Sequence, residues 1–206
     1  VVISQFSTNI ISVYRNISVS GSLSLSSFAP KVDLTSGSSP RRVRIADLDG
    51  DGKPEIVAAD YNGATISVFR NTSTPGTINS SSFAPKVSFS TGSTPYDLGI
   101  NDLDLDGKLD IVVSNLNSNS ISVFRNNSIV GTINSNSFNA RVDFSTAVNP
   151  TGLTIQDIDA DGKPDLIVTC WSSDVISLYR NVSSVGLINS SSFEPKFDLS
   201  GADGCI

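Results

Sequence analysis

The chain has 206 residues, 14 Lys and Arg against 20 Asp and Glu for a net charge of −6, two cysteines, and neither histidine nor methionine. No dense basic stripe exists to neutralise phosphates, which excludes a nucleic-acid partner. Without histidine there is no Ser-His-Asp or Cys-His catalysis and no His-ligated zinc, and two cysteines are too few for a zinc site or a disulfide framework. No apolar run approaches the roughly 20 residues needed to cross a bilayer, and no signal-like start is present, so membrane insertion is not expected. A chain that starts without Met is expected to begin after processing or to be a piece of something longer. Abundant Ser, Thr, Asn and Gly with only 17% charged residues suits a secreted β protein.

In chain order, one pattern returns every 55 residues: Arg15-Asn16, Arg70-Asn71, Arg125-Asn126 and Arg180-Asn181, with Phe28, Phe83, Phe138 and Phe193 at the same interval, which gives about 3.75 copies. The copy after Pro40 predicts four short strands. The first covers 43–47, the second 56–60 and the third 65–69, with Asn62-Gly63 between the second and third as a hairpin signal. The fourth covers 83–89, where Pro85 suits an outer edge strand because proline cannot donate to an interior ladder. No window sustains a helical period, so the chain reads as all-β. Residues 1–13 align with second and third strands, so 1–39 is a partial unit lacking its first strand, followed by units 40–94, 95–149 and 150–206. Four-stranded units of this length in series predict the blades of a β-propeller. The missing inner strand is expected from flanking sequence of a larger propeller or from an identical chain that covers the open edge.

Each full unit carries an acidic loop between its first two strands. The carboxylates are Asp47, Asp49, Asp51 and Glu55; Asp102, Asp104, Asp106 and Asp110; and Asp157, Asp159, Asp161 and Asp165. They stand at loop positions one, three, five and nine, with Gly52, Gly107 and Gly162 at six and Lys53, Lys108 and Lys163 at seven. Twelve of the 20 acidic residues lie here, and carboxylates so close repel one another unless a cation intervenes. Calcium takes six to eight oxygens at about 2.3–2.6 Å, which Asp side chains plus the backbone carbonyl of position seven supply. A glycine at six permits the turn that brings position seven inward. An EF-hand is excluded: position twelve is Ala58, Val113 or Val168, inside strand-like runs, where that motif needs a bidentate Glu and a flanking helix. Three calcium sites are therefore expected.

The three Asp-rich loops, the Ile/Val runs after them, and the Gly and Pro before each first strand (Gly37 and Pro40, Gly92 and Pro95) resemble FG-GAP or VCBS-type repeats, related to the propeller of integrin α-subunits. The resemblance spans essentially the whole chain, although the literal Phe-Gly-x-Gly-Ala-Pro string is degenerate. It implies a calcium-binding β-propeller whose metal loops are structural and lie on the face opposite the usual ligand surface.

Between copies, variation concentrates after the second strand (Gln5-Phe6, Asp60-Tyr61, Asn115-Leu116, Cys170-Trp171) and before the first (Arg41-Arg42, Tyr96-Asp97, Thr151-Gly152). By the family's geometry these sets share one face. Arg41, Arg42, Tyr61, Tyr96, Asp97 and Trp171 are the candidate contacts for a carbohydrate or protein ligand, with unconstrained loop drift as the alternative. Cys170 and Cys205 form a candidate disulfide, or else stay apart. Asn16, Asn71, Asn79, Asn126, Asn181 and Asn189 each precede Ser by two residues and are candidate glycosylation sites. The expected function is a non-enzymatic, calcium-stabilised extracellular or cell-surface binding and adhesion module. The alternatives are an accessory propeller of a secreted enzyme, or a structural protein that assembles by completing blades between chains.

Overall fold

A computed structural model describes residues 1–200; Cys205 and its proposed pairing with Cys170 lie outside the described residues. The fold is four successive antiparallel sheets. The first has three strands, β1 (Val2–Gln5), β2 (Ile10–Val13) and β3 (Val32–Thr35). The second runs β4 (Pro40–Ala46), β5 (Glu55–Asp60), β6 (Thr65–Phe69) and β7 (Val87–Ser90). The third is β8 (Pro95–Asn101), β9 (Asp110–Asn115), β10 (Ser120–Phe124) and β11 (Val142–Ser145), and the fourth β12 (Pro150–Gln156), β13 (Asp165–Cys170), β14 (Val175–Tyr179) and β15 (Phe197–Ser200). Strands pair in sequence order within each sheet, and β8 lies between β4 and β12, so the first strands of successive units stand side by side as in propeller blades. Among the described residues no helix is long and apolar enough to cross a membrane.

The sheets stack face to face, so central strands are covered on both sides. β5 and β9 are buried at every residue, whereas β3, β7 and β11 alternate between half-buried and exposed, as outer strands do. Three apolar cores lie between neighbouring sheets: Ile11 and Val13 against Ile56 and Phe69, then Val57 and Ile66 against Ile111 and Phe124, then Val112 and Ile121 against Leu166 and Tyr179. No sheet could bury its apolar residues alone; each uses its neighbour.

One local expectation needs correction. The fourth strand starts at Val87 rather than residue 83, because Pro85 has no N–H to extend the ladder; Phe83 instead forms an isolated bridge with Asn71 and packs inward. The hairpin expected through Asn62-Gly63 is present, joining β5 to β6. The turn covers residues 61–64, closed by the Gly63 N–H on the Asp60 carbonyl (2.8 Å), and its left-handed residue is Ala64, as Asn9, Asn119 and Asp174 are in the other sheets.

The end of each second strand explains the glycine before the first. Asp60 is fully buried and accepts from Ser36 Oγ (2.8 Å), the Gly37 N–H (3.0 Å), Thr65 Oγ1 (3.1 Å) and Ser67 Oγ (2.7 Å). A Cβ on Gly37 would lie 2.3 Å from Asp60 Oδ2, and one on Gly92 2.7 Å from Asn115 Cγ. In the fourth sheet the smaller Cys170 stands at that place and Ala147 replaces the glycine. There the buried strand serine, Ser177, turns to Asp198 on the outer strand (2.6 Å), as Ser122 does to Asp143; the second sheet has Ser88 at that outer position. Gly37→Ala is therefore expected to cost about 1–3 kcal/mol in thermal or urea unfolding. Adding Asp60→Cys and Ser88→Asp, which reproduces the fourth sheet's set, should recover most of that loss.

Candidate metal centres and binding cleft

Each acidic loop closes on itself through its own backbone. Position nine begins the second strand and pairs with the residue just before the loop: Glu55 with Ala46, Asp110 with Asn101, Asp165 with Gln156. Its two oxygens take the N–H of position two and the N–H of the distant Asn: Leu48 (2.8 Å) and Asn71 (3.2 Å) on Glu55, Leu103 (3.0 Å) and Asn126 (2.8 Å) on Asp110, Ile158 (2.9 Å) and Asn181 (2.8 Å) on Asp165. Position one takes the N–H of the glycine at six: Asp47 from Gly52, Asp102 from Gly107, Asp157 from Gly162. Position five, in Asp51, Asp106 and Asp161, takes the N–H of position seven, in Lys53, Lys108 and Lys163, at 2.9 Å each time. The ammonium groups of Lys108 and Lys163 reach the Ser128 and Ser183 carbonyls.

An arginine that the loop pattern alone does not reveal forks across positions three and five. Arg70 donates to Asp49 (2.9 Å) and Asp51 (3.1 Å), Arg125 to Asp104 and Asp106 (2.5 Å each), and Arg180 to Asp159 (2.5 Å) and Asp161 (3.0 Å). The available sequence signal is the constant spacing of this arginine from position three in all three units. One guanidinium does not balance four carboxylates. Burial, with the Asp104 and Asp106 charges added, pushes the Asp110 carboxyl up to about 7, and burial likewise raises Glu55. In the more open third loop the Arg180 bond instead holds Asp159 below the usual carboxylate range.

Positions one, three and nine converge: Asp47, Asp49 and Glu55, Asp102, Asp104 and Asp110, and Asp157, Asp159 and Asp165 each bring carboxylate oxygens within 4.8 Å of one another. Asp47 Oδ1 and Asp104 Oδ1 are buried and have no hydrogen-bond partner. A buried carboxylate oxygen without a donor is costly, and a hard divalent cation satisfies it. The donor set is all oxygen, which fits calcium or another hard ion and not zinc or copper. Position five sits on the arginine and outside these triads.

A family model described as an FG-GAP-like repeat matches residues 47–113 and again 102–168, each match running from one acidic loop through the next. The chain belongs to the FG-GAP-like repeat family. No curated protein matches it. In this FG-GAP-like chain each match takes in two successive acidic loops and the strands between them.

The other end of the same strands carries the cleft. A bulge at the start of each first strand, where Pro40 and Arg42 pair with consecutive residues of β5, leaves Arg41 as the extra residue, with Tyr96 and Thr151 alike in the next two sheets. Arg41, Arg42, Tyr61, Tyr96 and Trp171 all line one cleft of about 620 Å³, together with Leu116 and Thr151. The Arg41 guanidinium lies 3.6 Å from the Tyr96 ring centroid, Phe6 and Tyr61 continue the aromatic row, and Trp171 is 58% exposed. Asp97 is the exception. Its side chain is buried and accepts from Arg42 Nε (2.6 Å), the Leu98 N–H (2.8 Å) and the Leu153 N–H (3.2 Å), so it staples three sheets together from beneath the cleft.

The candidate glycosylation set also divides. Asn16 and Asn79 are exposed and Asn189 is half-buried, but Asn71, Asn126 and Asn181 are buried with their amide nitrogens donating to backbone carbonyls. Those three amides hold the structure together, and the glycan assignment is corrected for them. Cys170 is buried, with its thiol pushed up by burial and 3.8 Å from Ser177 Oγ.

Loop position four is left-handed in every unit, in Gly50, Leu105 and Ala160. Leu105 is also half-exposed, so it gives up little packing. Leu105→Gly is expected to stabilise the chain by about 0.5–1 kcal/mol in thermal unfolding, because it removes a left-handed side chain.

Proposed function

We propose that this chain is a calcium-stabilised, non-enzymatic binding module that works outside the cell, with three structural calcium sites at one end of its sheets and a ligand cleft at the other. The observation that carries the calcium reading is the pair of buried, unpartnered carboxylate oxygens, Asp47 Oδ1 and Asp104 Oδ1, each within a converging acidic triad. Asp47, Asp49 and Glu55, with their counterparts in the other two loops, would hold the ion. The ion would supply the positive charge that one arginine per loop leaves lacking. An extracellular setting suits loops of this kind, since weak calcium modules rely on the millimolar calcium found there.

The ligand reading rests on the cleft. An aromatic row with an unpaired guanidinium and an exposed indole, displayed by bulges on a rigid scaffold, suits a carbohydrate or a peptide segment. Asp97 belongs to the support of this surface and not to its contacts.

Calcium is expected to raise the melting temperature. With a Kd of roughly 0.1 mM and about 2 mM calcium, each site adds on the order of 1.8 kcal/mol. Excess chelator should reverse the gain, and Asp49→Ala or Asp104→Ala should remove part of it. Magnesium should restore much less at equal concentration, because it demands tight octahedral geometry and keeps its waters. Identical melting curves with calcium and with chelator would refute the metal reading. For the cleft, Trp171 is the only tryptophan, so its emission reports occupancy directly. A glycan or peptide ligand found by array screening should shift that emission, and Trp171→Ala should weaken its binding by about tenfold or more while leaving the melting temperature unchanged. Binding that ignores this substitution would place the ligand elsewhere.

A further inference from the structure

The two ends of the strands differ sharply in charge. Twelve carboxylates crowd the acidic loops, whereas the cleft end is nearly free of them. The first strands that frame the cleft, β4, β8 and β12, carry four charged residues between them: Arg41, Arg42, Arg44 and Asp97. The turns at this end (6–9, 61–64, 116–119 and 171–174) and the connections into the first strands (36–39, 91–94 and 146–149) add one more, the exposed Asp174. Asp60, where β5 ends at the same face, is buried and already accepts from Ser36, Gly37, Thr65 and Ser67. In a chain of net charge −6, three guanidiniums thus stand against one carboxylate around the cleft.

That carboxylate is fully engaged without Arg41. Asp97 Oδ1 accepts from Arg42 Nε (2.6 Å) and Arg44 Nη2 (3.4 Å), and Oδ2 accepts from the Leu153 N–H (3.2 Å). Arg41 has no acidic partner among the described residues. Its guanidinium lies 3.6 Å from the Tyr96 ring centroid and 5.8 Å from that of Tyr61. Aromatic faces hold a guanidinium through its charge and its plane, and leave the N–H donors at its edge free. Arg41 is therefore a positioned cation whose hydrogen-bonding fork is unused.

The cleft also keeps one hydroxyl uncovered. Thr169 lines it, and among the described residues its Oγ1 has no hydrogen-bond partner. A Cβ on Gly152 would lie 2.5 Å from that oxygen, so the glycine, standing where the neighbouring sheets carry Arg42 and Asp97, is what leaves the hydroxyl accessible. The counterparts of Thr169 are engaged instead. Ser4 Oγ donates to the Arg41 carbonyl (3.0 Å), and Ser114 Oγ accepts from the Asp97 N–H (3.0 Å).

We propose that the ligand of this cleft is an anionic glycan, whose carboxylate or sulfate ester pairs with Arg41 while a sugar ring lies on the exposed Trp171 indole. The proposal rests on the reading of the cleft as a binding surface and adds the sign of the ligand to it. The guanidinium fork matches the paired oxygens of such anions, and charge-assisted bonds of this kind are about twice as strong as neutral ones. A cleft lined by one sign of charge also gathers oppositely charged ligands, an effect that salt weakens. Flat aromatic faces beside the Thr151 and Thr169 hydroxyls favour a glycan over an acidic peptide, because a sugar ring offers a C–H face and a hydroxylated edge together.

An array of oligouronides, sialylated glycans and sulfated glycans, each beside a methyl-esterified, carboxyl-reduced or desulfated counterpart, tests this at fixed calcium. Poly-glutamate is the peptide control. The wild-type chain should bind charged members about tenfold or more tightly than their neutral counterparts, with the margin shrinking as salt rises. Arg41 is exposed, so Arg41→Gln should leave the melting curve unchanged while bringing charged and neutral members to equal affinity. Arg41→Lys should recover part of the margin, since lysine keeps the charge and loses the fork. Trp171→Ala should instead weaken charged and neutral members alike. Equal binding of both by the wild-type chain would overturn the anionic proposal and leave the cleft reading standing. A charge preference that survives Arg41→Gln would overturn it as well, as would binding to poly-glutamate and to no acidic glycan. A chain that binds no glycan and no peptide sinks both readings.

Discussion

Four carboxylates within nine residues are the constraint on which the rest of this fold depends. At about 4 Å two such charges repel by roughly 4 kcal/mol where the effective dielectric is near 20, and in each loop the carboxylate oxygens of positions one, three and nine lie within 4.8 Å of one another. Each loop answers with the same devices. Its own N–H groups turn inward onto positions one, five and nine, and an arginine from the third strand spans positions three and five. In the first two loops these leave over one buried carboxylate oxygen with no donor, Asp47 Oδ1 and Asp104 Oδ1. Because position nine pairs directly with the residue before the loop, the same closure fixes the register of the first strand on the second. A charged turn does the work that a tight glycine hairpin does elsewhere.

That closure separates two tasks along one set of strands. The loops sit at the far end of β4, β8 and β12, and the cleft residues sit at their near end, where a bulge frees one side chain per sheet. Seven residues of extended chain, about 23 Å, lie between them. A change in the cleft therefore need not disturb the loops. Asp97 ties the ends of this arrangement across three sheets, so the cleft floor is rigid although its rim varies.

Much of this was legible in the sequence because repetition multiplies weak signals. A single Asp-x-Asp-x-Asp-Gly run is ambiguous; three in fixed register, with β-branched runs after each, specify loop, strand and sheet order. The cleft set was legible as the positions where copies differ, and five of the six candidates do line one cleft. What stayed hidden depended on which distant atom a side chain meets. Asp97 looked like a surface group because Tyr96 beside it is one, yet the bulge between Pro95 and Asp97 directs neighbours to different sides. Asn71, Asn126 and Asn181 looked like exposed acceptors for sugar, since an Asn-x-Ser triplet is written identically whether its amide donates to a backbone carbonyl inside the protein or faces water. Arg70, Arg125 and Arg180 served as period markers before their partners were visible.

The pairing of Gly37 with Asp60, Gly92 with Asn115 and Ala147 with Cys170 limits how a chain of this kind diversifies. The two partners lie on either side of a first strand and its acidic loop, so a genetic crossover inside that interval joins the glycine of one unit to the strand end of another. Exchange in one direction leaves an alanine facing an aspartate that has no room for it, and in the other a cavity beside a cysteine. Crossovers in the long connection between third and fourth strands keep each pair intact. Duplicated units of this protein are therefore free to shuffle at that connection and bound together across the first strand and its acidic loop, which makes the connection the natural seam for swapping blades and, with them, cleft residues.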